Sequence, residues 1–490
     1  MSREANAALQ LKILQIGFVL VFISAVLYGV RGMMFGSSFV IKMFALALIG
    51  SAIVIGLDDR YWLFPAFLFG YYETLPVVRF TGAELGSIIL VATFFVRLAL
   101  HRDVYVSGSK RFVWAAVPFL AWMCLVWGQN PVGMNIFGSS SIGGRFYLKV
   151  ILSFLSLYVL SCLRLDERGC KLLCYSIAAG YCLYVAKAKL FGEVIADTRL
   201  ASQLHYGFIN ISFVAPLFLC RFSAPELLVR FWPFVGFFLT FGLSFYSGNR
   251  TAAARPVLVG LLAPFFLKKD RIKTMGLLVV AGFFLGILVA GQGVVWRLPF
   301  AIQRPLSFLP GRWDRRLESY GFKDDFRAEL RYWARQHIKA SPWFGDGGFS
   351  LDYTDMAWSA AQKRRGGFSE TIAGHVLARN WHNVWLGMAA DFGIPLSVAW
   401  GLFMAVLLLD GYRGTKRLPP GSWWQTAYLY FYLMIVTEFL NFFFNGGHTA
   451  LTAQQLFLWA GLMVAVSNGV VAVRFVSESA IGFKPSICEK

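Results

Sequence analysis

Charge is scarce in this chain. Only 15% of its 490 residues are Asp, Glu, Lys or Arg, against 57% hydrophobic residues. A soluble domain of this length carries more charge. The scarcer sign is negative: 26 acidic residues stand against 46 basic ones, a formal net charge of +20. Cysteines number seven, and no C-x-x-C pair occurs, so neither a zinc site nor a disulfide framework is suggested. No short repeat and no low-complexity tract is present. The apolar runs are too long, and too unlike alternating segments of about ten residues, for a transmembrane barrel. The first of them, about 13–30, is followed by Arg31 rather than a small-residue cleavage site, and reads as a membrane helix rather than a removable signal.

What is present is apolar sequence in lengths that suit a bilayer. A membrane helix needs about 20 apolar residues, within a range of about 17–25. Fourteen candidates are found, at 13–30, 39–57, 62–78, 83–100, 112–128, 146–163, 171–190, 207–220, 228–246, 252–267, 273–293, 384–409, 424–444 and 451–473. Two are weak: 62–78 holds Glu73 and Pro76, and 207–220 is short. The expected class is an all-α polytopic membrane protein with about twelve to fourteen transmembrane helices. The lipid bilayer is then its environment, and the positive charge does not imply nucleic acid.

Basic residues alternate between connections. One set holds Arg102, Lys110 and Arg111; Arg164, Arg168 and Lys171; Arg221 and Arg230; Lys268, Lys269, Arg271 and Lys273; and Arg413, Lys416 and Arg417. The other set mostly has one each: Arg31, Arg79, Arg145, Arg199 and Arg250, with none at 445–450. Positive residues accumulate on the cytoplasmic side, so the richer set and both termini belong there. Arg199, Arg250 and the long segment 294–383 then share the outer side. The domain reading is a bundle over 1–293 with about eleven helices, an outer loop or lid over 294–383, membrane helices over 384–474, and a cytoplasmic tail over 475–490.

Segment 294–383 is the only long stretch outside the apolar runs, and long connections usually carry function. Phe326, Leu330, Trp333 and Ile338 recur at roughly helical spacing, which predicts a helix over 326–339. Ser341, Pro342, Gly345, Gly347 and Gly348 predict the turn that ends it. The Gly-Asp-Gly-Gly run lacks the Lys-Ser/Thr ending of a phosphate-binding loop. Arg327, Arg331 and Arg335 fall on one helical face. They are a solvated face beside Asp324, Asp325 and Glu329, or a surface for phosphates.

Several groups merit attention as chemistry. Arg250, in FYSGNRTAAARP, and Arg199, in DTRLASQLHYGFIN, sit at the outer edges of spans. Each is an ordinary interfacial anchor or, with the other, part of an anion clamp. Guanidinium suits a diphosphate because it is always charged, planar and bidentate. His382 stands in the polar stretch Arg379, Asn380, Trp381, His382, Asn383 at the mouth of a span. It is either an interfacial histidine bonded to backbone or a proton acceptor. His205, His375 and His448 are rivals on the same side, and His337 lies within the predicted helix. The acid pairs Asp58–Asp59, Asp324–Asp325 and Asp352/Asp355 make no strong metal site, and Glu438 lies inside a span where it is able to face a cavity.

Two stretches carry a resemblance. R-x-W-x-x-x-x-I-x-x-x-P-x-F-G-x-G stands here as RYWARQHIKASPWFGDG, and H-N-x-x-L-x-x-x-x-x-x-G-I-P stands as HNVWLGMAADFGIP at 382–395. Upstream are SGNR at 247–250, and Arg199 ahead of a span bearing Asn210, where this chain has Ile209-Asn210 in place of the family's Pro-Asn. In these motifs, their order and their sidedness, the chain resembles the bacterial O-antigen ligase and O-antigen polymerase superfamily of membrane glycosyltransferases. The resemblance implies a GT-C-like fold with one long helix-bearing periplasmic loop, in the bacterial inner membrane, with the site facing the periplasm. It implies an undecaprenyl-diphosphate-linked glycan as donor and a glycan or lipid A–core hydroxyl as acceptor. Arg199 and Arg250 would bind the donor pyrophosphate, and His382 would orient or deprotonate the acceptor. Asn383, Arg379, Arg327 and Arg331 would support the site and loop, with no metal or other cofactor. Ligation is favoured over repeat-unit polymerisation by the basic loop, which suits a phosphate-bearing lipid A–core. A protein-glycosylating relative and, in another class, a lipid-linked glycan flippase are the alternatives.

Overall fold

The structure is a computed structural model that describes residues 60–71, 80–100, 110–129, 144–191, 209–247, 249–267, 270–307, 309–314, 324–347, 381, 383–444 and 449–480. The expected spans at 13–30 and 39–57 lie outside these residues. So do Arg199, Arg379, His382, His205, His375, His448, Asp58, Asp59, Asp352 and Asp355. The described chain is helical throughout. Its helices are α1 (Leu63–Gly70), α2 (Gly82–Ala99), α3 (Arg111–Gln129), α4 (Gly144–Ser161), α5 (Glu167–Phe191), α6 (Ala215–Arg221), α7 (Ala224–Val229) and α8 (Phe231–Tyr246). There follow α9 (Arg250–Leu267), α10 (Arg271–Gly291), α11 (Phe300–Leu306), α12 (Asp324–Ala340), α13 (Val384–Phe392), α14 (Ile394–Thr415), α15 (Trp423–Phe444) and α16 (Thr449–Ala480).

Eight of these, namely α2, α3, α5, α9, α10, α14, α15 and α16, are long and apolar enough to cross a membrane. Shorter apolar helices lie at Phe146–Ser161 and Phe231–Tyr246, and Ile209–Arg221 is an apolar stretch of helix and turn. The chain is therefore an all-α polytopic membrane protein. Local signals set the helix starts. At α2, Thr81 Oγ1 accepts from Glu84 N at 3.2 Å while Glu84 Oε2 accepts from Thr81 N at 2.5 Å, a reciprocal cap on two otherwise orphaned donors. In α9, Pro256 and Pro264 sit inside the helix, as membrane helices tolerate where neighbours satisfy the freed carbonyls.

Three expected spans differ from the observed helices. The run 384–409 is not one helix: it breaks at Gly393, which has φ +87° and ψ 163°, a conformation for residues without a Cβ. The apolar composition continues across this corner, so hydropathy alone does not reveal it. The short run 207–220 is likewise interrupted, by a turn at 212–214 before α6. In 62–78, α1 stops at Gly70, and 72–79 lies outside the described residues.

Burial arranges the helices radially. α16 lies at the centre against α4 and α15, and over its apolar stretch 78% is buried. Gly461 permits its close approach to α4, since a Cβ there would lie 2.8 Å from Leu160 Cβ. α10 is peripheral, with 17% of its apolar stretch buried, so the bilayer takes the rest.

The basic connections gather at one end of the bundle. Arg111 Nη1 lies 3.6 Å from Asp410 Oδ2, and Trp424 Nε1 donates to Leu165 O at 2.7 Å. Trp423 N donates to Glu167 Oε1 at 3.0 Å. Arg221 Nη1 donates to Gly421 O at 2.7 Å, its guanidinium lying 4.4 Å over the Trp423 ring, and Ser223 Oγ donates to Asp270 Oδ2 at 3.1 Å. Connections that sequence alone groups by composition are thus neighbours in space. The opposite end carries α11, α12 and α13.

Candidate functional site

The two stretches that carry the family resemblance dock on each other. α12 covers 324–340, slightly longer than the predicted 326–339. Its apolar face places Leu330, Ala334, Trp333 and Ile338 against Trp381, Leu386 and Ala390. Arg327, Arg331 and Arg335 are exposed, so for Arg331 and Arg335 the solvated-face reading describes what is seen. The predicted turn follows at 342–347 and closes onto the α13–α14 corner. Asp346 N donates to Ala390 O at 3.1 Å, and Ile394 N to Pro342 O at 2.9 Å. A Cβ on Gly393 would stand 1.8 Å from Trp343 O, and one on Gly345 (φ +62°) would stand 2.5 Å from the Asp391 carbonyl carbon. The glycines of both stretches are what lets two backbones touch.

Side chains of the bundle lock this joint. Phe344 stacks on Trp122 at 5.4 Å between ring centroids, while Trp122 Nε1 donates to Phe392 O at 2.9 Å. Tyr147 donates its hydroxyl to Gly347 O at 3.3 Å. His337 Nδ1 lies 2.5 Å from Asp346 Oδ2 and its ring meets Trp381 edge-on at 5.3 Å. That histidine is engaged within the joint. Trp381 is buried and donates Nε1 to Asp391 Oδ1 at 3.1 Å.

Asn383 caps α13: its Oδ1 accepts from Leu386 N at 3.0 Å, and its Nδ2 makes a long 3.5 Å contact with Phe443 O. Trp385, two residues on, packs against Phe439 and Phe443 of α15. Of the polar pentad at 379–383, Trp381 and Asn383 thus anchor the chain.

The SGNR element builds the start of α9. Asn249 Oδ1 accepts from Thr251 N at 2.9 Å and from Ala252 N at 3.1 Å, and Ser247 Oγ accepts from Asn249 N at 3.1 Å. This turns Arg250 toward α11, where Nη2 donates to Ser307 Oγ at 2.9 Å and Nε to Arg304 O at 3.4 Å. Arg304 and Arg327 lie close enough to act on Arg250 as like charges. Arg250, Arg304 and Arg327 thus bring like charges from α9, α11 and α12 within electrostatic reach of one another, and among the described residues no carboxylate is bonded to Arg250. A group of like positive charges suits a phosphate or carboxylate ligand. Arg304 escaped the sequence reading because α11 is too short to give a periodic signal.

A second charged group lies deeper. Arg255 Nη2 and Nε donate to Glu438 Oε1 at 2.6 and 3.2 Å, Nη1 donates to Ser212 Oγ, and the guanidinium lies 3.7 Å over the Phe213 ring. Only 6% of the Arg255 side chain and 14% of the Glu438 side chain is exposed. Sequence reasoning found Glu438 without a partner and passed over Arg255. An ionisable residue inside an apolar run is the signal that points to it. Among the described residues no three His, Cys, Asp or Glu side chains gather as metal ligands. No protein-family model matches this chain, and no curated protein matches it.

Proposed function

We propose that the chain is a glycosyltransferase of the bacterial inner membrane that moves a glycan from an undecaprenyl-diphosphate donor to an acceptor hydroxyl at the periplasmic face. The acceptor in this reading is lipid A–core, so the product is ligated O-antigen. The observation that carries it is the placement of Arg250, which donates to Ser307 Oγ and Arg304 O with the like charges of Arg304 and Arg327 within electrostatic reach, at the end of the bundle that also carries the α12–α13 joint. A lipid diphosphate brings negative charge to these guanidiniums, at the end of the bundle where a membrane-anchored donor presents its sugar. Sequence motifs support the same reading through His382 and Arg199.

The chemistry balances simply. The acceptor oxygen attacks the anomeric carbon, its proton passes to His382, and the bond from that carbon to the diphosphate oxygen breaks. Negative charge grows on the leaving diphosphate as the bond lengthens, and preorganised guanidiniums offset it without reorganising. Purified protein supplied with a lipid-diphosphate glycan and, separately, lipid A–core, a second lipid-linked repeat and a serine peptide tests the reading. A product on lipid A–core is expected. Product only on the second lipid-linked repeat makes the chain a polymerase, and no product on any acceptor refutes glycosyl transfer.

One feature favours a second reading. Transporters carry ionisable groups at membrane depth, as the Arg255–Glu438 pair is here. Movement of a fluorescent lipid-diphosphate glycan across proteoliposomes, without transfer, would establish that class.

A further inference from the structure

The candidate residues Arg199, Arg250 and His382 come from three distant parts of the chain. The described segments bearing them or next along the chain are 209–214, α9 and α13. Arg255 touches the first of these directly, because Nη1 donates to Ser212 Oγ and its face covers Phe213. Arg255 is itself part of the second, five residues and so about 7.5 Å of helix below Arg250. Its carboxylate partner Glu438 belongs to α15, whose next turn supports the third: Phe439 and Phe443 hold Trp385, and Phe443 O faces Asn383. The remaining carboxylate oxygen, Glu438 Oε2, accepts from Asn441 Nδ2 at 3.4 Å. Phe213 is fixed in turn, stacked on Tyr181 at 4.9 Å and receiving the Tyr430 hydroxyl on its carbonyl at 3.0 Å.

We propose that Arg255 and Glu438 are positioning residues that hold the 209–214 segment, α9 and α15 in one register, and thereby set the separation between the Arg250 guanidinium cluster and the Asn383 mouth of α13. The proposal rests on the glycosyl-transfer reading for its kinetic consequence, but not for its geometric one. Dispersion contacts between apolar side chains are individually small and non-directional. A two-donor contact from one guanidinium to one carboxylate oxygen is directional. Arg255 and Arg250 face different neighbours of α9, so turning the helix to release Arg255 from Glu438 also withdraws Arg250 from α11. Misplacement of reacting groups by about 1 Å costs on the order of 100-fold in rate. A pair that acts only by holding helices in place can therefore govern turnover.

The test uses the full-length protein in lipid nanodiscs, in a background free of native cysteines, with spin labels at Val257 on α9 and Leu440 on α15, both exposed. Glu438→Gln keeps the shape and removes the charge. Arg255→Lys keeps the charge and removes the fork. Each is expected to shift or broaden the label separation and to lower turnover at saturating donor about 100-fold, with donor KM changed less than about 3-fold and the protein still folded. An unchanged label separation overturns the proposal, whether turnover falls or not. A lowered unfolding temperature with normal separation and normal turnover assigns the pair a merely structural role and also overturns it. If neither variant folds, Ser212→Ala, which removes a single bond from Arg255, carries the same measurements. If wild-type protein transfers glycan to no acceptor, the functional reading fails, while the label separations still decide whether the pair sets the register.

Discussion

Arg250 makes two different bonds from two different nitrogens, to Ser307 Oγ and to Arg304 O, and this geometry belongs to a fork rather than a point charge. Arg250→Ala is expected to lower transfer about 100–1,000-fold, and Arg250→Lys is expected not to restore it. Initial rates over a range of donor concentrations check both; near-normal turnover by well-expressed Arg250→Ala would remove the guanidinium from the mechanism. His382 follows the buried Trp381 and precedes the capping Asn383. His382→Ala is expected to abolish transfer while donor binding and unfolding temperature stay near wild type. General-base help is typically worth about 100–10,000-fold. The pH–rate profile should lose the limb of a group titrating near neutrality in this variant and keep it in His205→Ala and His375→Ala. If one of those two is the inactive variant, the base is misassigned.

At the scale of elements, the critical joint is the corner between α13 and α14. Gly393 holds φ +87° there, with the Trp343 carbonyl where a Cβ would be. Gly393→Val is expected to cost at least about 1–3 kcal/mol from backbone strain alone. It is also expected to push the 342–347 turn off the corner, unstacking Phe344 from Trp122. Thermal unfolding in detergent, together with protease cleavage between 342 and 381, reads both effects, and wild-type values in both would show that the joint tolerates a side chain. α10 behaves oppositely. Phe283 is 67% exposed near the middle of that helix, so lipid rather than protein is its neighbour. Phe283→Leu is expected to be neutral, whereas Phe283→Arg should reduce membrane insertion, at about 2.5–3.5 kcal/mol for a charge at the helix centre. An insertion assay on the α9–α10 pair distinguishes them.

For the whole molecule, the meeting of Arg111, Glu167, Arg221, Asp410 and Trp423 at one end gives the alternation of basic residues a spatial meaning. A thiol introduced by Lys416→Cys at that end is expected to react with an impermeant maleimide only from the cytoplasm, and one introduced by Tyr320→Cys only from outside. Labelling of position 320 from the cytoplasm alone would overturn both the topology and the proposed periplasmic chemistry.

Sequence by itself determined the class, the approximate places of the described spans, the helix expected at 326–339 and the turn after it. These properties are one-dimensional: they depend on the length of an apolar run, on the local spacing of residues such as Leu330 and Trp333, and on the residue types of a turn. It also marked Arg250 and Asn383, because each belongs to a short contiguous motif. Only the tertiary structure decided which residues are partners. Arg255 and Glu438 are 183 positions apart, and nothing local to either names the other. Arg304 joins Arg250 only because α11 packs beside α9. The corner at Gly393 was written in the residues as Gly-Ile-Pro but masked by the high average hydropathy of the run around it. Hydropathy measures transfer from water to lipid, which a bent and a straight helix satisfy equally. At the bend the Trp343 backbone packs so closely on Gly393 that no Cβ fits there.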